Sequence, residues 1–201
     1  MNERKYTGRG RELIKLLHRK FPEASVRNGV EVGVYRGDLS ADLLHAFPYL
    51  RLSLVDTWAV PAPDSDYAAT GDEASTQTQA EHDANLAATI AVTGSVGAKG
   101  RGKISRNTSA KAAGGTRGRS LDFVFIDADH SYSGVLQDCK LWWTKLKSDR
   151  GESPGGVLCG HDYLLPGVEV GKVTVTRAVN DFAEMVGMTV AVGEFAVWWL
   201  E

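Results

Sequence analysis

Residues 28–56 constrain this chain more than any other stretch. Val30, Val32 and Val34 make a short β-branched strand, Gly33 and Gly37 punctuate the turn behind it, and Asp38 or Ser40 stands where a helix needs its cap. An amphipathic run follows, then a second apolar strand, Leu52 to Val55, that ends on Asp56. Strand, glycine turn, helix and strand in that order make a βαβ unit, which commits the chain to a parallel sheet flanked by helices. In nucleotide-binding units of this kind the glycines let a ligand approach the backbone. An acid ending the second strand can accept hydrogen bonds from a ribose diol. An adenosine-type cofactor is therefore expected.

The spacing narrows the cofactor. A dinucleotide fingerprint needs Gly-x-Gly-x-x-Gly so that a pyrophosphate can rest on the helix N-terminus. Here the pattern is Glu31-x-Gly33-x-x-x-Gly37, with an acid before the first glycine. That favours a cofactor without phosphates and argues against a nicotinamide dehydrogenase. A plain βαβ turn with no ligand would share the pattern, so other segments must decide.

With 201 residues, 43% hydrophobic and 24% charged, the chain can bury one core of comfortable size, and we read residues 1–201 as a single domain with an N-terminal helical extension over 1–27. A net charge of −2 supplies no general attraction to nucleic acid or to an anionic membrane, which points to small-molecule partners. Cys139 and Cys159 lack any Cys-x-x-Cys spacing and read as reduced core thiols. There is no apolar run long enough to span a bilayer and no secretory leader, so the cytoplasm is the expected location. A homo-oligomer is left open.

In chain order, Leu13, Ile14, Leu16, Leu17 and Phe21 give one apolar helical face closed by Pro22, and this helix is expected to cover the sheet or the cofactor site. The basic residues around it read as a solvated face. Residues 58–79 are rich in Pro, Asp, Ser, Thr and Ala, and read as a long loop, either a lid over the pocket or a disordered segment. Ala80 to Val92 is expected to be helical with Leu86, Ile90 and Ala87 inward. The Gly-rich basic segment from Thr93 to Arg119 has no interleaved aromatics for base stacking, and reads as a solvated loop interrupted by a short strand near Ile104. Leu121 to Ile126, apolar on both faces, reads as a central parallel strand ending on Asp127-Ala128-Asp129-His130. Val135, Leu136, Cys139, Trp142 or Trp143, and Leu146 follow at helical spacing. Val157 to Cys159 is a further strand, ending on Gly160-His161-Asp162-Tyr163. Two successive strands thus each finish beside a carboxylate and a histidine, where open α/β sheets hold their ligands. Val173 to Met185 reads as a helix with Val175, Val179, Phe182 and Met185 inward. Met188 to Val192 and Phe195 to Leu200 read as an antiparallel hairpin turning at Gly193-Glu194.

Four motifs together carry a family resemblance: Val-Glu-Val-Gly-Val-Tyr-Arg-Gly (30–37), Leu-Val-Asp-Thr-Trp (54–58), Asp-Phe-Val-Phe-Ile-Asp-Ala-Asp-His-Ser-Tyr (122–132) and Gly-Gly-Val-Leu-Cys-Gly-His-Asp-Tyr (155–163). Over residues 28–200 the chain resembles the class I S-adenosylmethionine (SAM) methyltransferases related to catechol-type and macrolide-sugar O-methyltransferases. The resemblance implies an α/β Rossmann-like sandwich with a mostly parallel seven-stranded sheet and an antiparallel C-terminal hairpin. It implies that the Glu31-to-Gly37 loop holds the amino-acid end of SAM, that Asp56 holds the ribose, and that the Thr108-Ser109 turn lies along the adenine. The cofactor-binding candidates are Glu31, Gly33, Tyr35, Gly37, Asp56, Thr57, Trp58, Thr108, Ser109 and Asp127.

In metal-dependent members of that group, acids after the fourth and fifth strands hold a divalent cation that binds the acceptor hydroxyl. Carried over by position, the metal candidates are Asp127, His161 and Asp162, with His161 or Tyr163 in the place of the paired ligand. Oxygen ligands suit Mg2+, whereas an imidazole shifts preference toward transition metals, so Mg2+, another divalent cation and no cation all stay open. The sulfonium methyl is already electrophilic, so the protein has to align an oxygen nucleophile and remove its proton. Asp129 or His130 is the candidate catalytic base. The function expected is O-methylation of a small hydroxylated acceptor. An RNA or protein methyltransferase using the basic segment, and a non-catalytic SAM-binding module, are the alternatives.

Overall fold

The structure, a computed structural model, describes residues 5–21, 25–96, 100–149, 153–163 and 174–201. Seven strands form one sheet: β1 (Asn28–Val32), β2 (Arg51–Asp56), β3 (Gly102–Arg106), β4 (Phe123–Ile126), β5 (Val157–Gly160), β6 (Val190–Val192) and β7 (Trp198–Leu200). Their order is β3-β2-β1-β4-β5-β7-β6, parallel from β3 through β5, with β7 alone reversed against both its neighbours. The expected sheet of seven is therefore present. Because the chain builds outward from β1 to β3 and then crosses back to lay β4 on the other side of β1, the strand order switches direction between β1 and β4. A crevice opens at the carboxyl ends of those two strands.

Strand alternation sorts the core into two layers. Phe123 and Phe125 of β4, with Leu52 and Leu54 of β2, face α1 (Gly8–Lys20) and α2 (Asp38–Ala46), meeting Leu13, Leu16, Leu17, Leu39 and Leu43. Val30 and Val32 of β1, with Val124 and Ile126 of β4, face the other way, toward Val135, Cys139 and Trp142 of α6 (Tyr132–Trp143) and Val175, Val179 and Phe182 of α7 (Thr174–Val186). Glu31, between two inward valines, therefore points into the α1/α2 layer. The N-terminal helix covers the sheet, as one expectation had it, and its Arg9 also reaches the crevice. Its closing Pro22 lies outside the described residues.

Several local expectations need correction. The cap of α2 is Gly37 in the left-handed region, φ 80°, not Asp38 or Ser40, and Ser40 instead donates to Glu31. Residues 58–79 contain a short helix α3 (Asp66–Ala69), capped by Ser65, and a 3-10 turn at Ala74–Thr76. The helix α4 (Gln79–Ser95), opened by a Thr78/Glu81 capping box, buries His82, Asn85, Thr89 and Thr93, while Ile90 is 55% exposed and only Leu86 packs on the core. The described part of the basic segment holds the expected strand near Ile104 as β3 and adds a helix, α5 (Ser109–Gly115), whose cap is Thr108. Leu146 lies beyond α6 and bridges to Leu121 instead of continuing the helix. Met185 is exposed, and Phe195 sits in a turn at φ 57° rather than in a strand. Val173, the expected start of the last helix, is outside the described residues. No described helix is long and apolar enough to cross a membrane.

Gly33 is the tightest position of the switch point. Its φ of 87° disfavours any side chain, and a Cβ there would stand 2.0 Å from the carbonyl oxygen of Asp127. The glycine thus lets the β4 end close against the β1 end, a role beyond ligand approach. Gly33→Ala is expected to lower stability by about 2 kcal/mol or more, read as a drop in melting temperature of at least about 4 °C in thermal unfolding.

Candidate functional site

The crevice deepens into a cavity of about 620 Å³ bounded by the ends of β1, β2, β4 and β5, the starts of α5 and α6, and the 58–79 segment. That volume suits a nucleoside-sized ligand with a small partner. Gly33, Tyr35, Asp56, Thr57, Trp58, Thr108, Ser109, Asp127, Asp129, His130, His161 and Asp162 all reach it. Glu31 and Gly37 do not. Glu31 is fully buried behind the glycine turn, and burial pushes its carboxyl up to about 8, against the opposing hydrogen bond from Ser40.

Asp56 holds the β1 and β2 ends together. Its Oδ2 accepts from the N–H of Val34 and Tyr35, each at 2.9 Å, and its Oδ1 accepts from Trp58 N–H at 2.8 Å. A carboxylate offers about four lone-pair positions, so three backbone donors leave one for a ligand hydroxyl. The backbone so gripped is strained: Tyr35 and Trp58 both have positive φ, 56° and 41°. Trp58 pins the arrangement, its buried indole N–H donating to Tyr35 O at 2.8 Å while Thr89 Oγ1 donates to the same carbonyl at 3.1 Å. Its ring therefore braces the loop, and the residue also lines the cavity.

At the β4 and β5 ends, opposite charges converge. Asp127 Oδ2 accepts from Arg9 Nη1 at 2.7 Å, and His161 Nδ1 lies 3.1 Å from Asp162 Oδ1 and 3.8 Å from Asp127 Oδ1. His130 Nε2 stands 3.2 Å from Asp162 and 3.4 Å from Asp127, while its Nδ1 is 3.4 Å from Asp72. Burial works to lower the His130 pKa, but Asp127, Asp162 and Asp72 outweigh it and push it up to about 9. Burial likewise opposes ionisation of Asp162, and His161, His130 and Arg9 overcome that, holding the carboxyl below its usual range. His161 is raised, its burial being offset by Asp162 and Asp127.

Among the described residues two buried side-chain nitrogens lack a hydrogen-bond partner, His130 Nε2 and His82 Nε2, and both residues line this cavity. Three ligand atoms, from Asp127, His130 and Asp162, fall within 4.8 Å of one another, so the grouping a cation would find takes His130 where position alone suggested His161. Asp129 commits Oδ1 to Ser131 N–H at 2.8 Å. Gly134 makes room for it, since a Cβ there would lie 2.3 Å from the Asp129 carboxyl carbon.

Sequence reasoning missed Arg9, Asp72, His82 and Asp138 as cavity residues. Each comes from a segment whose local pattern carries only helix or loop signals, and nothing in their spacing connects them to the strand ends.

A parallel sheet with one reversed C-terminal strand and a cavity at the β1/β4 switch point defines the class I, SAM-dependent methyltransferase fold. The sequence matches the family described as a methyltransferase domain over residues 30–163, and the chain belongs to that family. Its structure is similar to a protein from Corynebacterium glutamicum (15% identity, 96% of this chain and 78% of the other, TM-score 0.64). It is also similar to a methyltransferase from Podospora anserina bound to S-adenosylhomocysteine (12%, 96% and 77%, 0.62). A third likeness is to an O-methyltransferase from Bacillus cereus in complex with S-adenosylhomocysteine (14%, 100% and 82%, 0.61). No individually curated protein matches the sequence.

The raised carboxyl of Glu31 has a pH signature. A group whose folded pKa exceeds its unfolded value contributes stability in full below the unfolded value and loses it as pH rises toward the folded one. Glu31→Gln keeps an acceptor for Ser40 without the ionisation, so its melting temperature relative to wild type is expected to rise between pH 5 and pH 8. Parallel curves for the two proteins would rule the assignment out.

Proposed function

We propose that the enzyme methylates a hydroxyl oxygen of a small acceptor, with Asp129 taking the acceptor's proton and a divalent cation seated at Asp127, His130 and Asp162. The observation that carries this reading is the convergence, in one cavity, of the glycine-turn wall with the acids that end β4 and β5. Gly33, Asp56, Thr57, Thr108 and Ser109 form the cofactor side in this reading, and Asp127, Asp129, His130, His161 and Asp162 the acceptor side. Glu31 and Gly37 support the wall from behind.

SAM, when bound, supplies an electrophilic methyl group that needs no activation by the protein. The residues' work is to hold an oxygen in line with it, exclude water and accept a proton. Asp129 suits the last task, since one of its oxygens is fixed by Ser131 and the residue borders the cavity. His130 does not suit it: left to its flanking acids it is held protonated, and as a cation ligand it would release that proton and give its nitrogen to the metal, so in neither form is it free to take the acceptor's proton.

A divalent cation, when bound, lowers the pKa of the acceptor hydroxyl. The residues fit one: ligand atoms of Asp127, His130 and Asp162 lie within 4.8 Å of one another, and His130 Nε2 makes no aligned hydrogen bond, only ion-pair approaches to those two acids. Arg9 already neutralises part of Asp127, and would have to share that carboxylate.

Asp129→Asn is expected to lower kcat by about 10²- to 10⁴-fold, while calorimetry finds the affinity for S-adenosylhomocysteine within about twofold of wild type, because the removed charge acts on the acceptor's proton. Full turnover in that variant would reject Asp129 as the base. Chelation should suppress activity and added Mg2+ or Mn2+ restore it. Turnover indifferent both to chelation and to Asp162→Asn would reject the cation.

A further inference from the structure

The part of the 58–79 segment that walls the cavity divides at Gly71. Before the glycine stands α3, preceded by Pro61 and Pro63, which fix the chain on that side, and capped by Ser65, whose hydroxyl donates back to Ala62 O at 2.7 Å. None of the four residues of α3 is buried. After the glycine, Asp72 faces His130 and Glu73 accepts from the hydroxyl of Tyr35 at 3.1 Å, so this half is tied to both banks of the crevice. Gly71 itself has a φ of 66° and open space where a side chain would stand, which suits a residue about which the chain turns.

Among the described residues, two hydrogen bonds hold α3 down, apart from a Thr70–Asp72 bond beside the glycine. Ser133 Oγ, at the start of α6, donates to Asp66 Oδ2 at 2.5 Å, and Tyr67 O–H donates across the glycine to Asp72 Oδ2 at 2.9 Å. The first is exposed, so water competes for both partners. Tyr67 lines the cavity, and burial, with Asp72, Asp56 and Asp129 around it, pushes its hydroxyl above the usual range. Its ring stands between the cofactor side and the acceptor side. A short helix that buries nothing and is fastened by polar bonds opens at little cost in free energy.

We propose that residues 65–70 are a gate to the cavity, hinged at Gly71 and latched by the Asp66–Ser133 and Tyr67–Asp72 hydrogen bonds, and that the nucleoside enters and leaves when both latches part. Closed, the gate sets Tyr67 against the space between Asp56 and Asp129 and keeps water out of it. The inference rests on the nucleoside occupying this cavity and on nothing about the acceptor or a cation.

A gate has a kinetic signature that a binding contact lacks. Loosening a latch destabilises the closed form with and without ligand alike, so it speeds entry and exit together and leaves the dissociation constant in place. Trp58 borders the cavity, and stopped-flow tryptophan fluorescence with S-adenosylhomocysteine reads both rates, on the wild type and on Ser133→Ala, Asp66→Ala and Tyr67→Phe, the last of which keeps the ring. Each variant is expected to raise kon and koff by about three- to tenfold, the worth of one such hydrogen bond, with Kd within about twofold of wild type. Because Asp66 and Ser133 share one bond, the double variant Asp66→Ala/Ser133→Ala should be no faster than either single one. Unchanged rates in all three variants overturn the gate. A rise in koff alone, with Kd weakened to match, also overturns it, because the segment then grips the nucleoside instead of admitting it. Failure of the wild type to bind S-adenosylhomocysteine at all removes the cofactor from this cavity, and the gate with it.

Discussion

Three backbone N–H groups bound to one carboxylate hold the site in shape. Asp56 ties the turn after β1 to the turn after β2, and two of the residues it steadies, Tyr35 and Trp58, adopt a backbone that side-chain-bearing residues rarely take. Such strain persists only where surrounding bonds over-determine it. Here they do, because the Trp58 indole and Thr89 both bond to the Tyr35 carbonyl. Gly33, next to this clamp, lets the end of β4 close in, so the acids after β4 inherit their position from a contact made by backbone.

On the far side of the crevice the organising influence is charge balance. Asp127 and Asp162 are approached by Arg9, His130 and His161 from three separate elements, α1 and the ends of β4 and β5. The 58–79 segment joins them through Asp72 beside His130, and Ser133 of α6 donates to Asp66. These links hold the segment against the cavity, whose wall it helps to form.

The sheet and the acids at its strand ends could be read directly from residues, for a definite reason, whereas Tyr35, Thr57, Trp58, Thr108 and Ser109 entered the site through the family resemblance. β-Branched and aromatic runs ending on acids mark buried parallel strands, and a parallel α/β sheet has one place for ligands. The Thr78/Glu81 box that opens α4 was missed, although its Thr-x-x-Glu spacing is a helix-start pattern. Misjudged positions fall where tertiary contacts override local pattern. Met185 fits the inward stripe of α7 but stands in solvent, and Ser40, a plausible cap, is drawn to the buried Glu31. Arg9 reaches Asp127 across 118 positions of sequence, a pairing that periodicity cannot carry.

The polar inner face of α4 has its own consequence. A helix that meets the domain through His82, Asn85, Thr89 and Thr93 hides little oil-like surface, so lifting it exposes mostly groups that water readily serves. Opening there is therefore expected to cost less than opening the Leu- and Phe-lined layer beneath α1 and α2. Amide protons of α4 should consequently trade with solvent well before those of the central strands.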